Sequence, residues 1–558
     1  MTTLLQHYEQ ELGRLRQAMR RFADVHPDTA AALELEANAS TDPEVERLLQ
    51  SVALLNASMQ KLIEDGRSDF HKALLQTLQP HYLCALPACG IVQVDTSAAR
   101  PNEISAVIRL PRGTILRCGA SKFATACDTH IAPIAIAGVK FQPTLDLPVT
   151  LRLPSDATSA LCISLETTTS SASFDQPPLA SLRLWLDGEA ALRAGLLDAM
   201  LTHSQCVCLE AGSSWRVLPH SPFAPAGTNI EESLLPRHPG QQSTRLLTEF
   251  FHMSQKFDFI DIDLLAISAH CQPGCKRITL HIVLPSCDPR IRQASATSLR
   301  LGCTPVINLF PQAAAPIRMD GRSEAYPVTP SQSGLAIYSI DKVSLMSRNG
   351  DRLLPPFHST AHTEPGPYWH LDESEGFALN FVDREQRPAR LETGTIAVQL
   401  TCTNAELPRP STKLTTEASV GGFPIRFVHG PCTASRLSSP STLCEGLYSE
   451  DTSLPALHKL LKLHGCPYTE SLKSLTVKPS TAWLNHPMGR IHMHGSEFTF
   501  LVDEAALRSH SIHVLAEMLL TTLTDKLRAN RFAQLRIADE NGRVLCQAGP
   551  CAGTRPLT

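Results

Sequence analysis

The chain has 558 residues, of which 43% are apolar and 19% are charged, and this composition is typical of a soluble globular protein with several cores. Its 50 basic and 54 acidic residues give a net charge of −4, so the whole chain lacks the basic character of a protein that binds nucleic acid or an anionic membrane. No stretch approaches the ~20 apolar residues of a membrane span. The 17 cysteines are irregularly spaced and no secretory signal precedes them, so we expect reduced thiols in a cytosolic protein.

Two heptad stripes of apolar residues predict helices near the N-terminus, at 5–22 and 45–62. Pro27 closes or restarts the first helix, because proline removes a backbone donor. Thr41-Asp42-Pro43-Glu44 is a start signal for the second, with a capping side chain, a proline in the first turn and an acid near the helix dipole. A third helix is predicted at 70–78, before Pro80.

The two stripes have two interpretations. Three helices can cover a core of their own, or the stripes can form a seam with helices from other chains. Stripes of about three heptads do not decide between these interpretations by length. The candidate seam residues are Tyr8, Leu12, Leu15, Met19, Phe22, Val45, Leu48, Val52, Leu55, Met59 and Leu62.

Alternating apolar and polar residues predict a mostly β region after residue 89. The expected strands lie at 91–95, 107–110, 122–125, 149–153 and 182–186, with a loop at 170–178 and a helix at 188–201. A short amphipathic helix at 245–251 and a strand at 257–262 follow. Four phenylalanines in this block supply a large apolar area, so we expect it to form a corner of the core.

The uncharged stretch 301–310 predicts a buried strand or a tightly packed turn, and its structural residues are Cys303, Pro305, Asn308 and Phe310. Pro305 belongs at a strand end, an edge or a bulge, because it cannot donate to a sheet. Asn308 must find hydrogen-bond partners if it is buried, and we expect its amide to cap a backbone turn. We interpret the stretch as a junction that couples the phenylalanine-rich corner to the β unit after it.

Further strands are expected at 324–328, 337–343 and 395–404, a long loop at 344–375, and a linker or irregular arm at 406–440. The C-terminal part predicts a helix at 454–463, a strand at 498–502, a helix at 511–528 and a strand at 532–537. The predicted fold class is α+β, with an N-terminal helical segment, several mostly β domains and a C-terminal α+β segment. The predicted domains are 1–85, 86–230, 231–410 and 411–558.

Sequence motifs for catalysis are absent: the chain has no phosphate loop, dinucleotide-binding GxGxxG, GxSxG elbow or HExxH. The best metal candidate is the group His270, Cys271, Cys275, His281 and Cys287, whose residue types suit zinc but whose spacing fits no standard pattern. A turn between two strands explains it more simply, yet a zinc-binding or hydrolytic cytosolic enzyme stays the alternative function. We expect no cofactor and no catalytic residues.

Two weaker candidates are also better explained without a ligand. Cys206 and Cys208 share one strand face with no second pair nearby. His486, His492 and His494 form a histidine group, but half-exposed strand histidines are common and no cysteine or carboxylate completes a site.

Several motifs together resemble the TssF family, also called VasA or ImpG, of the bacterial type VI secretion system. They are Tyr8-x-x-Glu11-Leu12, Phe22-Ala23-x-x-His26-Pro27, Asp42-Pro43-x-Val45-Glu46-Arg47-Leu48-Leu49, Leu78-x-Pro80-His81-Tyr82-Leu83, Ile108-Arg109-Leu110-Pro111-Arg112-Gly113-Thr114, Arg245-Leu246-Leu247-x-Glu249-Phe250-Phe251, Lys256-Phe257-x-Phe259, 303–310, Thr401-Cys402-Thr403-Asn404 and Asn530-x-Phe532-x-Gln534-Leu535. The chain departs from the family pattern at 436–440 and near Gly489, and it looks shortened in its last third.

The resemblance implies structural work in the baseplate wedge of a contractile injection machine, without enzymatic activity. In such wedges, two copies of the TssF-like subunit pair with one TssG-like subunit and join TssE-like and TssK-like subunits around the hub. The assembled baseplate is the platform for the sheath and inner tube. The implied location is the cytoplasm, docked at the inner membrane through the secretion complex, with no nucleic acid and no direct membrane insertion. The resemblance favours the inter-chain interpretation of the helical seam.

Overall fold

The computed structural model describes residues 4–32, 42–78, 82–97, 99–100, 102–148, 151–236, 242–319, 325–348, 350–357, 366–372, 377–385, 387–407, 413–416, 420–434, 443–444, 452–486, 489–527 and 530–553. The chain divides into two compact units, Met1–Leu83 with Ser438–Tyr448 (unit 1) and Cys84–Leu437 with Ser449–Thr558 (unit 2). None of the described helices is both long and apolar enough to span a membrane.

The helices in chain order are α1 (Leu4–Val25), α2 (Pro27–Ala32), α3 (Pro43–Leu78), α4 (Ala190–Leu201), α5 (Gln242–His252), α6 (Leu264–Ser268), α7 (Leu454–Leu463) and α8 (Ile512–Lys526). The first strands are β1 (Cys89–Val94), β2 (Ile108–Leu110), β3 (Ile115–Cys118), β4 (Ser121–Thr125), β5 (Thr129–Ile131), β6 (Ile134–Gln142), β7 (Ser159–Thr167), β8 (Ser181–Leu186), β9 (Cys206–Ala211), β10 (Ser214–Val217), β11 (Phe223–Ala226), β12 (Phe259–Asp263) and β13 (Arg277–Leu284). The remaining strands are β14 (Leu299–Arg300), β15 (Cys303–Ile307), β16 (Phe310–Ala313), β17 (Ile317–Arg318), β18 (Tyr326–Pro327), β19 (Leu335–Ser347), β20 (Gly350–Leu354), β21 (Tyr368–Asp372), β22 (Ala378–Val382), β23 (Thr395–Asn404), β24 (Lys413–Thr416), β25 (Ile425–His429), β26 (Leu472–His486), β27 (Gly489–Val502), β28 (Arg531–Asp539) and β29 (Val544–Ala552).

Unit 1 is built on α1 and α3, which run antiparallel. His7 Nε2 lies 2.8 Å from Glu64 Oε2 and Arg16 Nη2 lies 3.0 Å from Glu46 Oε1, so partner numbers fall along α3 as they rise along α1. Asp42 Oδ1 accepts from the N–H of Glu44 over 2.8 Å, which agrees with the predicted helix start. The helices predicted separately at 45–62 and 70–78 are one helix in the structure. Gly66 lies inside it, because a single glycine costs a helix only about 1 kcal/mol.

Unit 2 contains a closed six-stranded barrel of order β1-β15-β4-β3-β24-β25. Its interior is apolar, with Val92, Leu116, Phe123 and Val306 fully buried in one core. The prediction of a linker at 406–440 is wrong, because β24 and β25 from this segment close the barrel. The barrel therefore takes strands from three of the predicted domains, and the predicted domain borders stay predictions.

In the described part of unit 2, five further sheets and a two-stranded ribbon accompany the barrel. Their orders are β10-β9-β13-β7-β6, β11-β12-β8-β14, β16-β23-β19-β20 with β17 beside β23, β18-β22-β21, β2-β5 and β26-β27-β28-β29. The loop predicted at 344–375 also contains β20 and β21, whose partners are β19 and β22. Of the strand predicted at 149–153, the described residues 151–153 lie in no strand.

The C-terminal segment pairs two hairpins around a helix. β27 and β28 run parallel, and α8 connects them, as a parallel crossover requires. Ser511 Oγ accepts from the N–H of Val514 and caps α8 at its N-terminus. Together with the N-terminal helices and the β-rich middle, this segment confirms the predicted α+β class.

Candidate functional site

Polar and small side chains make the contact between α1 and α3. His7 and Glu11 are the buried residues of α1, although both side chains are ionisable. Ala53 and Ala57 are fully buried on α3. The spacing places both alanines on the same face of α3 as Glu46 and Glu64, which pair with α1. The side of α3 that contacts α1 is therefore not its heptad stripe.

The heptad stripe of α3 lies on the opposite side of the helix and is exposed. Leu48, the first exposed residue of this stripe, lies two residues after Glu46, a rotation of about 200° around the helix axis. The exposed fractions are 66% for Leu48, 38% for Val52, 62% for Leu55, 55% for Met59 and 72% for Leu62. A surface that concentrates aliphatic side chains in this way is typical of an interaction site.

The remaining candidate seam residues are partly covered. Tyr8, Leu12, Leu15 and Met19 on α1 and Val45 on α3 are half-buried, while Phe22 is 40% exposed. We call the set Leu48, Val52, Leu55, Met59 and Leu62 the α3 stripe from here on. Its exposure is compatible with the inter-chain interpretation, and the assignment of the seam residues to partners stays a prediction.

The stretch 301–310 is buried, as the sequence predicts, and it joins two cores. Cys303 and Ile307 pack in the core that contains Trp185 and Phe259, whereas Phe310 packs in the core of the β16-β23-β19-β20 sheet. Pro305 lies within β15, just before β4 begins to pair at Val306.

Asn308 bridges two strands in place of capping one turn. Its Nδ2 donates to the carbonyl of Lys122 in β4 over 2.6 Å and to Oδ1 of Asn404 at the end of β23 over 2.9 Å. Its Oδ1 accepts from Thr403 Oγ1 over 2.5 Å and from the N–H of Asn404 over 2.7 Å. The amide is fully buried and fully used, so the role of Asn308 here is structural.

The phenylalanine-rich block forms a buried corner around an ion pair. Phe250 and Phe257 meet edge to face, with ring centroids 5.3 Å apart. Glu249 and Lys256 are buried beside them and form a salt bridge. Glu249 Oε1 also accepts from the N–H of Leu235 over 2.9 Å. Glu249 Oε2 pairs with the ammonium of Lys256, and Glu249 Oε1 also accepts from the hydroxyl of Ser233. Both carboxylate oxygens therefore have hydrogen-bond partners.

Cys89, His252 and Cys432 form a compact cluster next to this corner. Cys89 begins β1, His252 ends α5, and Cys432 follows β25. One ligand atom from each side chain lies within 4.8 Å of the other two. Among the residues that the structure describes, this is the one group of three cysteine, histidine or acidic side chains close enough to share a metal ion.

Mutual hydrogen bonds polarise the cluster. The hydrogen bond from Cys89 and the neighbouring imidazole of His252 hold the pKa of the Cys432 thiol at about 4, although burial opposes this shift. The same bond to Cys432, together with burial, raises the pKa of Cys89 well above its usual value. Burial alone lowers the pKa of His252, but the hydrogen bond and charge of Cys432 outweigh it and raise that pKa. The arrangement holds a thiolate, which is a soft ligand, beside an imidazole, and both groups suit zinc.

The metal candidate expected from the sequence is not assembled in the described part of the chain. His281 lies in β13, where its Nδ1 is 3.2 Å from Cys162 Sγ and its Nε2 is 3.0 Å from Glu210 Oε2. Cys271 and Cys275 are neighbours, and burial raises the pKa of Cys271 to about 12. Cys287 contacts Arg292 instead.

The weaker candidates are isolated as well. His492 and His494 are exposed on β27 with ring centroids 5.8 Å apart, and the side chain of His486 lies outside the described residues. Cys206 and Cys208 contact each other, and burial raises the pKa of Cys208 to about 12. A local sequence motif cannot predict the Cys89 cluster, because its members are separated by more than a hundred residues in the sequence.

Comparisons with known proteins give one consistent result. The family model for "Type VI secretion system, TssF" matches residues 1–555. The type VI secretion system component TssF1 of Pseudomonas aeruginosa is 27% identical over 621 aligned positions, which cover 99% of each chain.

Solved structures share the fold. A chain of the type VI secretion system TssK-TssF-TssG baseplate subcomplex, determined by cryo-electron microscopy, matches with a TM-score of 0.71 and 22% identity, covering 92% of this chain and 99% of its own. A chain of the baseplate complex from the type VI secretion system matches with a TM-score of 0.52 and 18% identity, covering 100% of both chains.

Proposed function

The chain belongs to the TssF family of the type VI secretion system, and on this basis we propose that it is a structural, non-enzymatic subunit of the baseplate. Two copies join one TssG-like subunit in a wedge, and wedges bind TssK-like and TssE-like subunits and gather around the hub. The complete baseplate is the platform on which sheath and tube assemble, docked on the cytoplasmic side of the inner membrane. The solved relative that combines TssK, TssF and TssG in one subcomplex supports the TssK and TssG contacts.

The observation that carries the proposal is the exposed α3 stripe. Five aliphatic side chains on one helix face are unfavourable in water, and a second helix laid along them removes that surface from solvent. The heptad spacing suits a partner helix, since it keeps the apolar positions on one side over several turns. We assign the TssG-like subunit as the occupant, because its homologue assembles with the solved TssF relative.

Co-expression with the TssG-like subunit of the same organism tests the proposal. We expect the two chains to co-purify, and native mass measurement to give two copies of this chain for each copy of the partner. A chain that stays alone in the presence of that subunit would overturn the proposal. A complex of two copies without the partner would assign the stripe to self-association instead.

A further inference from the structure

We propose that Cys89, His252 and Cys432 form a binding site for one zinc ion, which fastens helix α5 to the barrel. The residue types are those that zinc selects, since thiolates and imidazole are its usual ligands in proteins. Three distant parts of the chain supply them, and the fold brings their ligand atoms to within 4.8 Å of one another. This site lies outside the surface used in the proposed assembly function.

The distance between Cys432 and His252 fits a tetrahedral zinc ion. Cys432 Sγ and His252 Nε2 are 3.6 Å apart. Zinc bonds of about 2.3 Å to sulfur and about 2.0–2.1 Å to nitrogen at a tetrahedral angle separate the two ligand atoms by about 3.5–3.6 Å. An ion fits between these atoms without a change in their separation.

The backbone holds the two sulfur atoms in place. The N–H of Cys432 donates to the carbonyl of Cys89 over 2.8 Å, and the N–H of Cys89 donates to Cys432 Sγ over 3.2 Å. An N–H directed at a sulfur atom is a common support for a metal-bound thiolate, because it stabilises the negative charge. The adjacent pairing of β1 with β25 anchors both cysteines to the barrel.

Two of the proposed ligand atoms, His252 Nε2 and Cys89 Sγ, carry hydrogens in the metal-free site. His252 Nε2 lies 2.9 Å from the carbonyl of Pro87, and Cys89 Sγ lies 3.4 Å from the same oxygen. Zinc binding requires both atoms to lose their hydrogens. The thiol proton of Cys89 goes to solvent, and the proton on His252 Nε2 goes to solvent or is carried on Nδ1 instead, so that two thiolates and a neutral imidazole face the ion. His252 and Cys432 are half-buried, and a zinc ion held by three protein ligands takes water as its fourth ligand.

The charge count favours zinc in this environment. Two thiolates, one neutral imidazole and a divalent cation sum to zero, and a neutral group is far cheaper to bury than an isolated charge. Two buried charges that act on Cys89, those of Glu249 and Lys256, already neutralise each other. The ion therefore adds no net charge to the core that contains Cys89 and Met253.

Metal analysis of the untagged full-length chain tests the site. We expect about one equivalent of zinc after zinc titration and desalting, and a thiolate-to-metal absorption band in the near ultraviolet when cobalt replaces zinc. Cys432→Ser and His252→Gln should each lower the bound metal at least about tenfold, in line with the loss of a ligand. Cys271→Ser is the matched control and should keep both the metal and the cobalt band.

Four results would overturn the proposal. They are less than a tenth of an equivalent in the titrated wild type, full metal binding in Cys432→Ser, copper in place of zinc at the same residues, or an intact mass that shows a Cys89–Cys432 disulfide. Circular dichroism of both variants checks that they fold. A chelator should lower the melting temperature of the wild type and of Cys271→Ser but not that of Cys432→Ser.

Discussion

Asn308 and Asn404 exchange two hydrogen bonds, from Asn308 Nδ2 to Asn404 Oδ1 over 2.9 Å and from the Asn404 N–H to Asn308 Oδ1 over 2.7 Å. Asn308 also donates to the carbonyl of Lys122. Lys122 lies in barrel strand β4, whereas Asn404 ends β23 of the neighbouring sheet. One buried amide thus fixes how these two sheets meet.

Replacing Asn308 with leucine should destabilise the chain. Asn308→Leu leaves the Lys122 carbonyl and the Asn404 amide without their buried partner, and each such group costs about 1–3 kcal/mol. We expect the free energy of unfolding in urea to fall by roughly 2–6 kcal/mol. Asn541→Leu, at an exposed turn, is the control and should change stability little. Equal stability of both variants would refute the bridging role.

The sequence predicts elements best where local periodicity is strong. The strand expected at 395–404 and the helix expected at 454–463 have the same bounds in the structure. The prediction of a linker misses β24 and β25, because strands of four and five residues carry almost no periodicity. Their pairing with residues about three hundred positions away, such as Thr415 with Arg117, is a property of the closed barrel.

The two candidate sites also differ in how far local sequence patterns predict them. The α3 stripe is visible as a heptad pattern, although the pattern does not reveal that Ala53 and Ala57, rather than the stripe, are buried. The cluster of Cys89, His252 and Cys432 leaves no trace in local spacing, because each residue comes from a different element. Local spacing instead favours the group His270, Cys271, Cys275, His281 and Cys287.

A charge in the α3 stripe should disrupt assembly without unfolding the chain. Leu55 is 62% exposed, so Leu55→Asp costs the isolated chain little, whereas a carboxylate buried against a partner helix lacks compensation. We expect at least a tenfold loss of affinity for the TssG-like subunit and an unchanged melting temperature. Leu12→Asp on half-buried Leu12 should also impair assembly.

Two variants on the same helix serve as controls for that experiment. Gln60→Asp, at an exposed polar position outside the stripe, should leave both assembly and stability unchanged. Ala57→Asp places the charge in the fully buried face and should lower the melting temperature itself. If Leu55→Asp unfolds the isolated chain as much as Ala57→Asp does, the stripe is part of an intramolecular core.

The buried pair of Glu249 and Lys256 should show strong coupling. Lys256→Met leaves a buried carboxylate without its cation, and removal of one partner of such a pair costs about 3–5 kcal/mol. Adding Glu249→Gln to it removes the stranded charge and should recover part of that loss. Urea denaturation of the two single variants and the double variant measures the coupling.

An exposed pair provides the comparison. Lys462 and Glu470 lie 2.7 Å apart at the surface, and Lys462→Met should leave stability unchanged because solvent screens this pair. Additive effects of the substitutions at Glu249 and Lys256 would contradict the coupling.

Acid should destabilise the fold through His464. This imidazole is buried beside Thr248, with Nδ1 2.9 Å from Oγ1, and burial lowers its pKa from 6.5 to about 3. Between pH 6.5 and about pH 3, the unfolded chain therefore binds a proton at His464 that the folded chain does not bind. The stability that the neutral ring contributes above pH 6.5 is lost as the pH falls toward 3. The contribution at pH 5 should be about 2 kcal/mol smaller than at pH 7.

A comparison of variants separates the pH dependence due to His464 from that due to other titrating groups, such as Asp258. Burial raises the pKa of Asp258 from 3.8 to about 6. The stability that this carboxyl contributes is present below about pH 3.8 and is lost as the pH rises through 6, so its pH dependence is opposite to that of His464.

His464→Gln should be less stable than the wild type at pH 7 but should lose less stability between pH 7 and pH 5 in urea denaturation. His492→Gln, at an exposed position of β27, should keep the slope of the wild type. Only a group whose pKa differs between the folded and unfolded chain makes the free energy of unfolding depend on pH. If the free energy of unfolding of His464→Gln depends on pH as that of the wild type does, burial does not keep the imidazole neutral.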